Sequence, residues 1–204
     1  MSVRIILASG SPRRRRLMAL AGIECEIIES GADEMIEGAP SYQAEALAIR
    51  KARTVRPLVT GEAVIVAADT LVAIDGRVLG KPADAAEAFA MLKTLQGRRH
   101  TVYTGVALIR VGDGGETLNS FVDSADVIFH KLSDAEINAY IATGEPFDKA
   151  GGYGVQDCEG ALVERVEGEY TTVVGLPMPR LLQALKTLSE LSDASSISST
   201  FRGV

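Results

Sequence analysis

The residues best suited to chemistry are polar groups that interrupt apolar or turn-forming stretches. The first such run is Leu7-Ala8-Ser9-Gly10-Ser11-Pro12-Arg13-Arg14-Arg15-Arg16, where an apolar segment passes through small residues into four arginines. Ser11 can cap a helix and Pro12 suits its first position, so the backbone N–H groups beside Arg13 and Arg14 offer a phosphate site. A helix start already carries about half a positive charge, and clustered cations there are unfavourable unless an anion is bound. The alternative is a solvated basic helix face. Asp69 ends the run Ala63–Ala68, and ligands in α/β sheets usually bind outside the carboxyl ends of such strands. Capping or turn formation would also account for it. Asp75-Gly76 is a two-residue hairpin signal, and pairing Ile74 with Arg77 sets Thr70 opposite Lys81, bringing an ammonium to the neighbourhood of Asp69.

Two further groups stand out. Ala44, Leu47, Ala48, Lys51 and Val55 share one face of a helix predicted from a Ser41 cap to about Arg56, before Pro57. Lys51 is the one cation on that face; its stem snorkels to the surface by default, or its amine points into a cleft. The loop Glu145-Pro146-Phe147-Asp148-Lys149-Ala150-Gly151-Gly152-Tyr153-Gly154-Val155-Gln156 joins charged and amide groups to glycines that allow close backbone approach to a ligand, or that only serve turns.

The elements that must position these groups follow from pattern and punctuation. Strands are predicted at Val3–Ala8, Glu24–Ser30 and Ala63–Ala68, the last expected to stop at Asp69, and in the hairpin Leu71–Ile74 with Arg77–Leu79. Long strands follow at His100–Arg110 and Thr117–His130, and a second hairpin at Leu162–Val166 with Tyr170–Val174 around Glu167-Gly168. Helices follow Pro12, Ser41, the capping pairs Asp84/Glu87 and Ser133/Glu136, and Pro177, the last running to about Leu191. The fold class is α/β with a mixed sheet. Residues 1–191 read as a single domain and 192–204 as a disordered serine-rich tail.

With 204 residues, 47% hydrophobic and 24% charged, the chain can bury a substantial core. A net charge of −6 argues against general nucleic-acid binding, which needs a broad basic surface. No apolar run is long enough to cross a bilayer, and the start lacks a secretory pattern, so a cytoplasmic protein without membrane attachment is expected. Cys25 and Cys158 read as reduced packing residues. Gly76 to Lys81 is not a P-loop: three residues separate its glycines, and Pro82 stands where the magnesium-binding hydroxyl belongs. His100 and His130 are the only histidines, badly placed for zinc, and read as structural. What remains, Ser9, Arg13, Arg14, Glu34, Lys51, Asp69, Thr70, Lys81, Asp148, Lys149 and Gln156, suits a triphosphate with a divalent cation better than a neutral metabolite.

Ala8-Ser9-Gly10-Ser11-Pro12-Arg13-Arg14, Ala68-Asp69-Thr70, Leu79-Gly80-Lys81-Pro82, Gly144 to Gln156 and Val174-Gly175-Leu176-Pro177 together resemble the Maf family of nucleoside triphosphate pyrophosphatases. The resemblance implies an elongated α/β fold related to the inosine triphosphate pyrophosphatases, with two lobes around a deep cleft, and a homodimer. It implies that water attacks the α-phosphorus, giving a monophosphate and pyrophosphate. Asp69 matches the proton acceptor. Glu34, Asp69 and Asp148 would hold a divalent metal (Mg, Mn or Co). Ser9, Arg13, Arg14, Lys51, Lys81 and Lys149 would bind phosphates. The chain looks like the branch acting on dTTP and UTP, with Arg13, Thr70 and Gln156 at positions tied to specificity. A glutamine amide can pair with the carbonyl and imide N–H of uracil or thymine. The competing readings are the branch acting on methylated GTP and a nucleotide-binding regulator of cell division and septum formation. Arg15-Arg16 departs from the family's pattern of a polar residue followed by glutamate; consecutive residues spread around a helix, so this pair is expected to face solvent.

Overall fold

The computed structural model describes residues 3–32, 35–112, 115–157 and 161–188. Its axis is β3, Ala63–Ile74, a twelve-residue strand. The expected stop at Asp69 is overturned, because Thr70-Leu71-Val72-Ala73-Ile74 continues the β-forming composition and β5 (Arg99–Gly112) offers an unbroken partner, from Ala63 opposite Val111 to Ala73 opposite Thr101. The other edge of β3 changes neighbour along its length. Parallel β1 (Arg4–Leu7) covers Ala63–Val66, and antiparallel β4 (Arg77–Leu79) covers Val72–Ile74. Ala67–Leu71 lies between them with no strand beside it on that edge among the described residues. Ile74 does pair with Arg77, through a turn in which Asp75 (φ 50°) and Gly76 (φ 74°) are both left-handed.

The seven-stranded sheet runs β2-β1-β3-β5-β6-β7 with β4 beside β3, where β2 is Glu26–Ile27, β6 Gly115–Phe129 and β7 Val163–Glu167. β1 and β2 are parallel and the β5, β6 and β7 pairings antiparallel, giving the mixed α/β sheet expected. The helices are α1 (Pro12–Leu20), α2 (Pro40–Val55), α3 (Ala85–Leu95), α4 (Asp134–Ile141) and α5 (Tyr170–Val174), with α6 over 178–188. Ser133 and Glu136 form a reciprocal capping box. Ser41 does not cap α2: the position is held by Ala39, because Pro40 takes the first helical turn with its φ already set. Tyr170–Val174 is a helix rather than a strand. The Glu169 carboxylate accepts from the backbone N–H and hydroxyl of Thr171, and Gly175 at φ 122° ends the turn, so local capping overrides the β-branched composition.

Alternation along β3 sorts the core. Val64, Val66 and Ala68 pack with Leu17, Met18, Leu176 and Leu181, while Ala63, Ile65 and Ala67 pack under Ala48, Ala52 and Val55 of α2. Further along, Val72 and Ile74 enter a third cluster with Leu92, Leu95, Phe129 and Ile137, between α3 and α4. Asp69 and Thr70 fall where β3 passes from one set to the other. No helix among the described residues is long and apolar enough to cross a membrane. The predicted tail lies outside the described residues.

Candidate functional site

A cavity of about 550 Å³ opens along the uncovered edge of β3. Its first wall is the turn from β1 into α1. Ser11 caps α1, its hydroxyl accepting from the Arg14 N–H at 3.4 Å, with Pro12 in the first turn and no acidic residue there to offset the helix's positive end. Ser9 Oγ accepts from the Ser11 N–H at 3.3 Å. Arg13 reaches across the cavity to Asp148, Nη1 to Oδ2 at 2.9 Å. Arg14 ties three segments together, donating from Nε to the Gly175 carbonyl (2.8 Å), from Nη1 to Ser9 Oγ (3.1 Å) and from Nη2 to Thr70 Oγ1 (3.0 Å). Arg15 and Arg16 are exposed, as the helical geometry predicts.

The second wall carries the charge pair. Lys51 is buried instead of snorkelling, and its ammonium meets Asp69 Oδ1 at 2.5 Å, with both side chains about one-tenth exposed. Asp69 pairs across the sheet with Gly105, where a Cβ would lie 2.2 Å from the Ala44 carbonyl oxygen. The missing side chain lets α2 rest on the sheet beside Asp69, and Lys51, two turns further along, comes down onto the carboxylate. Thr70 lines the cavity and its hydroxyl contacts Thr104 Oγ1.

The third wall is the loop after α4. Lys149 is 5% exposed and spends its three N–H donors on the Glu145 carbonyl and carboxylate (2.6 Å each) and Asp148 Oδ1 (2.8 Å), with Asp157 Oδ2 at 3.4 Å. Burial pushes this ammonium toward neutrality, and the hydrogen bonds it donates to Asp148 and Glu145 outweigh it, so its pKa is raised. Burial likewise raises the Asp148 carboxyl, and the bonds from Lys149 and Arg13 reverse this into a net lowering. Asp157 accepts from Tyr140 Oη at 2.6 Å, and Tyr140 Oη in turn accepts from the Gly154 N–H, which fixes the turn leading to Gln156. Gln156 is exposed on the cavity. Tyr153, in the same loop, is buried, its hydroxyl 2.7 Å from His100 Nε2 and its ring edge-on to Phe129. Burial lowers the His100 pKa to about 4 and pushes the Tyr153 phenol far up.

Of the sequence-expected residues, Ser9, Arg13, Arg14, Lys51, Asp69, Thr70, Lys81, Asp148, Lys149 and Gln156 line this one cavity. Glu34 lies outside the described residues. The pairing of β3 with β4 ends at Val72 opposite Leu79, so Lys81 reaches the cavity from the loop beyond it, where the Gly80 carbonyl accepts from the Gly151 N–H at 2.9 Å. Sequence reasoning missed Glu29, which lines the cavity against Gly10, where a Cβ would lie 2.4 Å from Oε1. No motif surrounds it. It also missed Thr104, Asp157 and the link from His100 to Tyr153, none of which a sequence motif marks.

Among the described residues no three acidic, histidine or cysteine side chains gather as a ready-made metal cage. Both Asp148 oxygens are engaged, by Arg13 and Lys149, whereas Asp69 spends only Oδ1 on Lys51. This donor set fits a hydrated divalent ion held by one or two carboxylates and substrate phosphates, the usual manner of magnesium, rather than a dedicated protein site.

A mixed sheet with an uncovered strand edge, a cation-rich helix start and a buried Asp–Lys pair defines an α/β protein with an anion-receiving cleft. The family described as Maf-like protein matches residues 4–188, and the chain belongs to that family. It is 46% identical over 185 residues to a dTTP/UTP pyrophosphatase of Thermoanaerobacter sp. (strain X514), covering 90% of this chain and 96% of the relative. It is 46% identical over 203 residues to a dTTP/UTP pyrophosphatase of Salinibacter ruber, covering 96% of this chain and 97% of the relative. Among solved structures, the Staphylococcus aureus Ham1 protein aligns with a TM-score of 0.41 and 15% identity, over 62% of this chain and 71% of its own.

Proposed function

We propose that the chain is a nucleoside triphosphate pyrophosphatase acting on dTTP and UTP. The observation that carries this reading is Asp69 on the uncovered edge of β3, one oxygen held by Lys51, across the cavity from the α1 start. In the reaction, Asp69 Oδ2 accepts a proton from a water that attacks the α-phosphorus. The bond from that phosphorus to the bridging oxygen breaks, and pyrophosphate leaves with the electron pair. A well-placed general base contributes roughly 100 to 10,000-fold in rate. Lys51 orients the carboxylate. Arg13, Lys81, Ser9 and the N–H groups of the α1 start bind the phosphates, where preorganised charge stabilises the leaving group. Asp69 and Glu34 would hold a divalent ion, which when bound neutralises phosphate charge. Asp148, bonded to Arg13 and Lys149, and Lys149, whose donors are taken by neighbours, support Arg13 and the loop that presents Gln156. Gln156 and Thr70 face the base. The names of the relatives support the substrate pair, and the same reading takes the protein as a cytoplasmic homodimer without nucleic-acid or membrane partners.

The test is pyrophosphate release from canonical and methylated nucleoside triphosphates with magnesium, manganese or cobalt, and after chelation. UTP and dTTP are the expected best substrates and chelation abolishes turnover. Faster release from methylated GTP would overturn the substrate assignment. Nucleotide binding without turnover would favour a regulator.

A further inference from the structure

Thr70 and Thr104 face each other across β3 and β5, their hydroxyl oxygens 3.0 Å apart. Proton counting gives the direction of this bond. Thr104 Oγ1 lies 2.7 Å from the carbonyl oxygen of Thr172, which has no proton to give, so Thr104 donates its single proton there. That carbonyl belongs to α5, a helix of five residues, whose end leaves carbonyls without intrahelical donors. Thr104 therefore only accepts from Thr70. Arg14 Nη2 donates to Thr70 Oγ1 and cannot accept. A hydroxyl has one proton and two lone pairs, so Thr70 is left with one lone pair and nothing to donate. The relay is anchored at its far end, where the Thr172 hydroxyl donates to Asp123 at 2.7 Å, and both Thr104 and Thr172 are fully buried.

We infer that Thr104 is a specificity-positioning residue: by taking the Thr70 proton it makes the Thr70 hydroxyl an acceptor-only group on the cleft wall, compatible with the imide N–H of uracil or thymine and not with the bare N3 of cytosine. The inference rests on the pyrimidine triphosphate reading above. Gln156 cannot make this distinction by itself. It is exposed and has no hydrogen-bond partner among the described residues, and an amide turned over exchanges donor for acceptor and fits either base. A freely rotating hydroxyl is equally accommodating. A hydroxyl whose proton is committed elsewhere is not, because an acceptor set against it meets a lone pair that cannot be turned away.

The experiment measures kcat/KM for pyrophosphate release from UTP, dTTP and CTP by the wild type, Thr104→Val and Thr104→Ser. Valine is close in shape but cannot accept the Thr70 proton, so Thr70 regains a donor and the preference for UTP over CTP falls by about tenfold or more. Serine keeps the acceptor and restores the preference. A simple packing role would lower all three substrates alike, and an unchanged ratio in Thr104→Val overturns the inference. Should that variant fail to fold, Thr70→Val decides: loss of the acceptor lowers the same ratio through weaker UTP and dTTP turnover, and an unchanged ratio again overturns it. A wild type that hydrolyses UTP and CTP equally sinks the inference alone. One that hydrolyses neither UTP nor dTTP sinks the substrate reading as well.

Discussion

Replacing Lys51 by methionine keeps most of the apolar stem and removes the charge that meets Asp69. An exposed ion pair is worth about 0–1 kcal/mol, but taking one partner from a buried pair strands the other and costs about 3–5 kcal/mol. The Lys51 and Asp69 side chains are 11% and 10% exposed, which places them in the second regime. Lys51 is the cation that meets Asp69 among the described residues. In a domain of this size each kcal/mol moves the melting temperature by about 2–4 °C, so Lys51→Met should melt roughly 6–20 °C below the wild type. Asp69→Asn introduced into Lys51→Met removes the stranded carboxylate and should recover most of that loss. With Asp69 proposed as the proton acceptor, catalysis is not expected to recover, and turnover falls by about 100 to 10,000-fold. Thermal and urea denaturation of the wild type, the two single variants and the double variant closes the cycle, with pyrophosphate release measured on the same preparations. A Lys51→Met protein within about 1 kcal/mol of the wild type, or a double variant no more stable than Lys51→Met, refutes the reasoning.

Two further outcomes are expected. His100 is protonated near its ordinary 6.5 in the unfolded chain and only at about 4 when folded. Between these values the unfolded state binds the extra proton, so stability falls as pH drops through the window, by up to about 3 kcal/mol in total. Urea denaturation across that range should show a clearly shallower decline in His100→Gln; identical slopes count against a buried neutral imidazole. Gly144 (φ 79°) stands in open space, whereas a Cβ at Gly151 (φ 69°) would lie 2.9 Å from Val72 Cγ1. Alanine at Gly144 should cost only the left-handed backbone term of roughly 1–2 kcal/mol, and alanine at Gly151 a further 1–3 kcal/mol or so of overpacking. Equal losses in chemical denaturation would contradict this.

What was legible in the sequence was local. Asp75-Gly76 fixed a hairpin and its register because a two-residue turn needs left-handed residues and nothing distant can shift it. The Ser133/Glu136 box worked for the same reason, as did the Ser11-Pro12 start of α1. Helical periodicity marked Lys51 as misplaced but could not name its partner, since the contact depends on how closely α2 settles over Gly105. Arg14 reads as one cation in a basic run, and its bond to Gly175 spans the whole fold. Lys149 reads as one more cation of a polar loop, and its bonds to Glu145 and Asp148 become visible only in the folded loop. Tyr170–Val174 misled because the composition is that of a strand, while the carboxylate that turns it into a helix lies just outside the run.

The stretch Ala67–Leu71 has one more consequence. An open strand edge invites pairing with another chain, and proteins ordinarily cap, charge or shorten such edges. Here the opening is bounded by the last pair of β1 and β3, Leu7 with Val66, and the first pair of β3 and β4, Val72 with Leu79. It is too short to template a foreign strand, yet lengthening either neighbour by a pair would begin to zip the cleft shut. The cleft of this chain therefore depends on the lengths of two strands as well as on its polar residues, and insertions that leave every reacting group in place can still abolish the site.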